Sequence, residues 1–308
     1  MPHPPSREER VQPTAPAAAG AGEWLRLLRP RHWTKNLLLF AALVFARRLF
    51  EPGSLALAGL GFAAFCLAAS SVYALNDVLD AERDRLHPRK RQRPIASGAI
   101  SPGSASLVAA GLALAALGLA FGIGTAFGLW TVAYLAQNAL YSAVGKNVAV
   151  LDVMLVAAGF VIRAIAGAEA ISVPYSEWFI LCALFLAIFL AASKRKAELL
   201  SLDGRESAQR PVLGHYTTSS LSAFTTTSMA ATVLSYALYV VAEHPGEEIH
   251  LLALTVPFVI FGVFRYYLLV ETSELGDRPE EVLLRDRPMQ ACVLGFALVA
   301  VVALYLGS

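Results

Sequence analysis

Nine consecutive residues carry the first chemical signal: Asn76-Asp77-Val78-Leu79-Asp80-Ala81-Glu82-Arg83-Asp84. Asn76, Asp80 and Asp84 recur at i, i+4 and i+8, and Asp77 stands three and seven residues from the two later carboxylates. A continuous helix puts these four oxygen-bearing side chains on one face. Carboxylates stacked that way repel unless a cation sits among them. Oxygen ligands with open positions suit Mg2+, which takes one or two carboxylates plus substrate phosphates. Asn76, Asp77, Asp80 and Asp84 are therefore candidate metal ligands, and the three aspartates candidate catalytic residues. The plain alternative is a solvated charged loop. A basic run follows at once, His87-Pro88-Arg89-Lys90-Arg91-Gln92-Arg93-Pro94. On its own it is a topology signal; beside a metal, Arg93 can neutralise the remaining oxygens of a bound diphosphate.

A second polar cluster comprises Tyr141, Lys146, Asp152 and Arg163, with Lys146 and Asp152 as candidate catalytic residues and Tyr141, Lys146 and Arg163 as candidate phosphate-binding residues. Asp152 and Arg163 are three helical turns apart and so face the same way. Arg163 lies deep in an apolar stretch, where an ionisable group is costly and marks function by default. Its expected partner is Asp152 or a bound phosphate, the alternative being a structural ion pair. Two further segments can reach phosphate. In Ser193-Lys194-Arg195-Lys196-Ala197-Glu198 the candidate is Lys194, with Glu198 at i+4; this is also ordinary basic flanking of a span. In Arg29-Pro30-Arg31-His32-Trp33-Thr34-Lys35-Asn36 the candidates are Lys35 and Asn36, beside an interfacial Trp33, although Lys35 also reads as a snorkelling lysine. The six His never cluster, which argues against zinc, and Cys66, Cys182 and Cys292 are scattered singly in apolar segments.

The elements that position these residues follow from composition. Of 308 residues 56% are hydrophobic and 16% charged, against about 25% charged in soluble domains, and mean hydropathy is +0.57. A soluble enzyme, a disordered chain and a nucleic-acid binder are excluded; a net charge of +2 offers no field for DNA or RNA. Residues 52–76, 94–145, 211–242 and 288–308 contain no Asp, Glu, Lys or Arg. Spans of roughly 20 apolar residues must satisfy their own backbone in lipid and so are helical. The pattern predicts an all-α membrane protein with nine transmembrane helices, over roughly 34–50, 54–76, 101–121, 125–144, 149–171, 177–193, 218–242, 249–271 and 289–307. Residues 1–23 read as a disordered cytoplasmic tail and 24–308 as one polytopic domain, with membrane lipids as its surroundings. With the N-terminus cytoplasmic, alternation puts 21 of the 25 Lys and Arg on the inner side. Every polar cluster then falls at or near that side, around a cytoplasm-facing, laterally open cavity.

The first acidic run after the second span resembles the aspartate-rich motif of the UbiA superfamily of intramembrane prenyltransferases. That resemblance implies a nine-helix bundle in which two acidic motifs bind Mg2+ and a diphosphate. The second motif departs from the usual pair of aspartates: Tyr141-x-x-x-Gly145-Lys146-x-x-x-x-Leu151-Asp152 offers one carboxylate and one lysine. Together with Arg29-Pro30-Arg31-x-Trp33-x-Lys35-Asn36, Gly159-Phe-Val-Ile-Arg163-Ala-Ile-Ala-Gly167 and Ser193-Lys194-Arg195, it looks like the phosphoribosyl-transferring branch. The resemblance implies that 5-phosphoribosyl passes from phosphoribosyl pyrophosphate to decaprenyl (polyprenyl) phosphate, for cell-wall arabinan precursors. It further implies Asp80 and Asp84 as metal ligands, Asn76 and Asp77 completing the shell, and Lys35, Lys146, Arg163 and Lys194 on phosphates. Two other readings stay open: a polyprenyl diphosphate transferase acting on an aromatic or haem acceptor, and a secondary transporter using Asp152 and Arg163. Homo-oligomerisation is left open.

Overall fold

The computed structural model describes residues 20–88, 90–200, 211–243, 248–272, 282 and 285–306. Among them every long element is a helix. The chain runs α1 Ala21–Leu28, a 3₁₀ segment Pro30–Leu38 leading into α2 Leu39–Phe45, α3 Pro52–Leu79, α4 Ala81–Arg85, α5 Pro102–Ile123 and α6 Thr125–Ala143. It continues through α7 Leu151–Ala170, α8 Glu177–Leu200, α9 Thr218–Glu243, α10 Glu248–Ala253, α11 Val256–Thr272 and α12 Arg287–Leu306. The expected tail, 1–23, lies outside the described residues up to 19, and its last three residues open α1.

Helix starts follow local chemistry. Pro52 and Pro102 stand at first helical positions, where the missing N–H costs nothing. The Ser101 hydroxyl caps α5 by accepting from Ser104 N–H at 3.1 Å. Gly124 separates α5 from α6 inside the long charge-free window, at the expected turn.

Among the described residues seven helices are long and apolar enough to cross a membrane. The expected first span, 34–50, is instead 3₁₀ as far as Leu38 and α-helical just over Leu39–Phe45. The expected fourth, here α6, is present but carries Gln137, Asn138 and Ser142, whose polar side chains lower its hydropathy. The expected eighth, 249–271, is among the seven as Leu251–Thr272, with a turn at 254–255 between α10 and α11.

Packing explains the abundance of small side chains. Lipid supplies little hydrophobic drive between helices, so close van der Waals contact must hold them. Ala64, Ala68 and Ala69 of α3 and Ala116 and Ala120 of α5 are buried together around Phe65 and Phe127. Leu107 and Leu114, on the same α5, are 76% and 70% exposed and present the face that lipid covers. The ion pairs fix which ends meet: Asp80 after α3 with Lys146 after α6, Asp152 at the start of α7 with Arg195 near the end of α8, and Lys196 with Glu271 at the end of α11. These loops therefore share one end of the bundle. At the other end Leu49 N–H donates to the Tyr305 hydroxyl at 2.8 Å.

Gly167 of α7 lets the N-terminal segment lie against it: a Cβ there would stand 2.8 Å from Leu39 Cα and nearer still to its carbonyl oxygen. Gly167→Ala should cost about 1–3 kcal/mol through overpacking. Gly111→Ala, with nothing within 4 Å, should be neutral or stabilising by up to about 1 kcal/mol. Thermal melts in detergent check both.

Candidate active site

The first motif straddles a helix junction. Asn76 and Asp77 lie in the last turn of α3, Asp80 is its C-cap with ψ 2°, and Asp84 sits on α4. The backbone bends at Asp80 although the i→i−4 bonds Asp80 N–H to Asn76 O and Asp84 N–H to Asp80 O, both 2.9 Å, persist. The single face expected for all four residues is consequently divided. Asp77 and Asp84, seven apart, look toward one set of cations, while Asn76 and Asp80 look toward α6 and the loop after it.

On the first side Arg93 Nη1 donates to Asp77 Oδ1 at 3.0 Å and to Asp84 Oδ2 at 2.6 Å. Arg29 Nη2 donates to the same Asp77 oxygen at 2.5 Å, and its guanidinium stacks over Tyr73. Both aspartates are buried, whereas the arginines are about a quarter exposed. On the second side the Ser142 hydroxyl donates to Asn76 Oδ1 at 2.7 Å, and Lys146 Nζ donates to Asp80 Oδ1 at 2.9 Å. No three His, Cys, Asp or Glu side chains among the described residues converge as a metal site. The donor set nevertheless fits a hard cation. Two carboxylate oxygens already share one positive nitrogen, a charge demand that a divalent ion would also meet.

The expected pairing of Asp152 with Arg163 is not made. Three helical turns carry a residue about 16 Å along the axis, beyond contact even when both face one way. Asp152, fully buried, accepts from Arg195 Nε at 2.6 Å and from the Tyr216 hydroxyl at 2.6 Å. Arg195 also binds Glu198 at 2.9 Å and the Tyr141 hydroxyl at 3.2 Å. Glu198, placed at i+4 from Lys194, binds Arg195, its i−3 neighbour. Arg163 is buried among neutral groups: Asn36 Oδ1 at 2.8 Å, Gly159 O at 2.8 Å and the Tyr134 hydroxyl at 2.9 Å, with its guanidinium over the Tyr134 ring. Asn36 is fully buried with it and donates to Cys66 Sγ. Arg163 and Asn36 therefore lock the 3₁₀ segment to α7 and α6. Lys35, on that 3₁₀ segment, and Lys194, on α8, are half-buried. Apolar grooves along α11, lined by Phe261, Phe264 and Leu268 among others, contain none of these carboxylates.

Sequence reasoning passed over Arg29, Arg195, Tyr216, Ser142 and Tyr134. Arg29 and Arg195 stood inside quoted segments, Arg195 next to the favoured Lys194; nothing in spacing links Tyr216 to Asp152 across 64 positions.

These geometries belong to a shared fold. A family model described as the UbiA prenyltransferase family matches residues 37–285. The chain belongs to that family. A decaprenyl-phosphate phosphoribosyltransferase of Mycolicibacterium smegmatis is 36% identical over 302 residues, covering 94% of this chain and 94% of its own. One from Mycobacterium tuberculosis is 37% identical over 296 residues, covering 94% and 96%. A UbiA homologue from Archaeoglobus fulgidus, solved bound to GPP and Mg2+, superposes with a TM-score of 0.72 at 22% identity, over 91% of this chain and 99% of that one, and shows the fold.

Tyr216 holds the second loop in shape. Val150, a β-branched residue, has φ 70° and ψ −47° at the N-cap of α7, a conformation such residues adopt at a cost. Its N–H donates to the Tyr216 hydroxyl at 2.6 Å, and that hydroxyl donates onward to Asp152. Burial and then the Asp152 contact push the Tyr216 phenol up to about 12, so it remains a donor through neutral pH. The sign follows: its contribution is complete below the ordinary phenol value near 10 and is lost as pH rises through about 12. Tyr216→Phe should lower stability by about 1–3 kcal/mol, and adding Val150→Gly, which relaxes the backbone, should recover part of the loss in the same melt.

Proposed function

We propose that this protein transfers 5-phosphoribosyl from phosphoribosyl pyrophosphate to decaprenyl (polyprenyl) phosphate, releasing diphosphate and giving decaprenylphosphoryl-5-phosphoribose. The reaction is a pentosyl transfer within the membrane and supplies cell-wall arabinan precursors. Near-full-length identity of 34–37% to enzymes of that name supports it.

Lys146 is the observation that carries the reading. The second loop brings a lysine to Asp80, where the resemblance leads one to expect a pair of carboxylates for a second metal. A donor with a diphosphate and a separate 5-phosphate needs positive charge more than a prenyl diphosphate does. Arg29, Arg93 and Lys146 line the site, with Lys35 and Lys194 nearby in sequence to Asn36 and Arg195. Asp77 and Asp84, with Asp80 and Asn76 beside them, would hold Mg2+, which when bound neutralises and polarises the leaving diphosphate. Arg29 and Arg93 hold the leaving group's outer oxygens, and Lys146 holds phosphate on the side of Asp80. The lipid phosphate oxygen forms the new bond to the ribosyl C1 as the bond from C1 to diphosphate breaks. An anionic nucleophile needs no general base. Asp152, bound by Arg195 and Tyr216, positions the loop that carries Lys146. Arg163 and Asn36 shape the floor of the site from within the core. The inner side of the cell membrane, with the N-terminus also cytoplasmic, fits the basic residues at this end of the bundle.

In membranes given labelled phosphoribosyl pyrophosphate, Asp84→Ala and Lys146→Ala should each slow transfer about a hundredfold or more, the size of a ~2.7 kcal/mol loss. EDTA should abolish transfer, and labelled prenyl diphosphate should give no product. Near-native rates in both variants, or transfer from the prenyl donor in place of the sugar, would contradict the assignment.

A further inference from the structure

We infer that Arg93 is a resident counter-ion that couples metal binding to donor binding, its guanidinium holding the seat between Asp77 and Asp84 and turning to the diphosphate when a divalent cation takes that seat. This rests on the metal reading given above for Asp77 and Asp84. One nitrogen, Nη1, bonds both carboxylates, at 3.0 and 2.6 Å. The carboxylates are fixed and buried, with side chains 2% and 5% exposed, whereas Arg93 is 28% exposed and follows the short 3₁₀ turn Lys90–Gln92. Arg29, the other cation on Asp77, is anchored by its stack on Tyr73. Arg93 is the partner free to move.

Charge arithmetic supplies the coupling. Two carboxylates face two guanidiniums, and the group is neutral. A divalent ion added alone leaves a surplus of about two positive charges in a half-buried site, where they repel strongly. A diphosphate arriving with it removes the surplus and gives the displaced guanidinium a bidentate anion. Metal and diphosphate therefore bind together well and the metal binds poorly by itself. Arg93→Gln removes one positive charge and opens the seat, so it should bind the metal alone more tightly while losing the cooperation.

The measurement is Mg2+ titration of the purified full chain in detergent, read by calorimetry and by metal-dependent thermal shift, with and without inorganic pyrophosphate. For the unaltered protein pyrophosphate should raise Mg2+ affinity at least about tenfold, within the range of ordinary coupling energies. For Arg93→Gln, Mg2+ alone should bind about tenfold more tightly, and pyrophosphate should add less than about threefold. Arg91→Gln, which removes the same charge from the same turn, should behave as the unaltered protein. If Arg93→Gln yields no folded chain, Arg93→Lys, whose single ammonium bridges the pair less well, should still bind Mg2+ alone more tightly. The inference is overturned if the Arg93 variants bind Mg2+ alone no better, if they keep full coupling, or if Arg91→Gln reproduces the effect. Absence of saturable Mg2+ binding to every form even with pyrophosphate overturns the metal reading, and this inference with it.

Discussion

The structure depends on carboxylates at one end of an apolar bundle, Asp77, Asp84 and Asp152 of them buried, being matched by cations from other segments. Asp77 is answered by Arg29 from the N-terminal segment and by Arg93 from the loop after α4; Asp80 by Lys146 from the loop after α6; Asp152 by Arg195 from α8. Leaving one partner of a buried pair unmatched is far more costly than never having built the pair. The same requirement that makes the site chemically useful therefore ties together six segments of the chain. It brings the ends of α3, α6 and α8 together, which the close packing of small side chains could not specify alone.

Below these helix ends the bundle is held by contact rather than charge. The alanines of α3 and α5 admit Phe65 and Phe127, and Gly167 admits the backbone of Leu39. Arg163 sits at that depth, and it is solvated by oxygens and a ring face rather than by a carboxylate. It holds the irregular N-terminal segment against α6 and α7, Asn36 turning inward to meet the guanidinium while Arg29 reaches Asp77.

The sequence was most legible where composition alone decides the outcome. Charge-free windows place the long helices within a few residues, and the acidic run after α3, the lysine at 146 and the resemblance they carry lead to the family that the family match shows. Less legible was anything that depends on which neighbours a side chain meets. Helical periodicity puts Asp152 and Arg163 on one face, yet it says nothing of the distance along the axis or of the competing partners, Arg195 and Asn36. It also assumes an unbroken helix through Asp80, where the junction with α4 splits the motif into two pairs. Arg29 and Tyr216 could not be chosen from spacing, because their partners lie 48 and 64 residues away.

The central claim is that Asp77 and Asp84 form a cation seat facing a sugar diphosphate. Crystals grown with Mn2+ and phosphoribosyl pyrophosphate test it most directly through the manganese anomalous signal. The account predicts a peak at about 2.0–2.2 Å from carboxylate oxygens of both aspartates, with the Arg93 guanidinium moved onto the diphosphate. A peak elsewhere, or a donor bound while Arg93 still bridges Asp77 and Asp84, would contradict it.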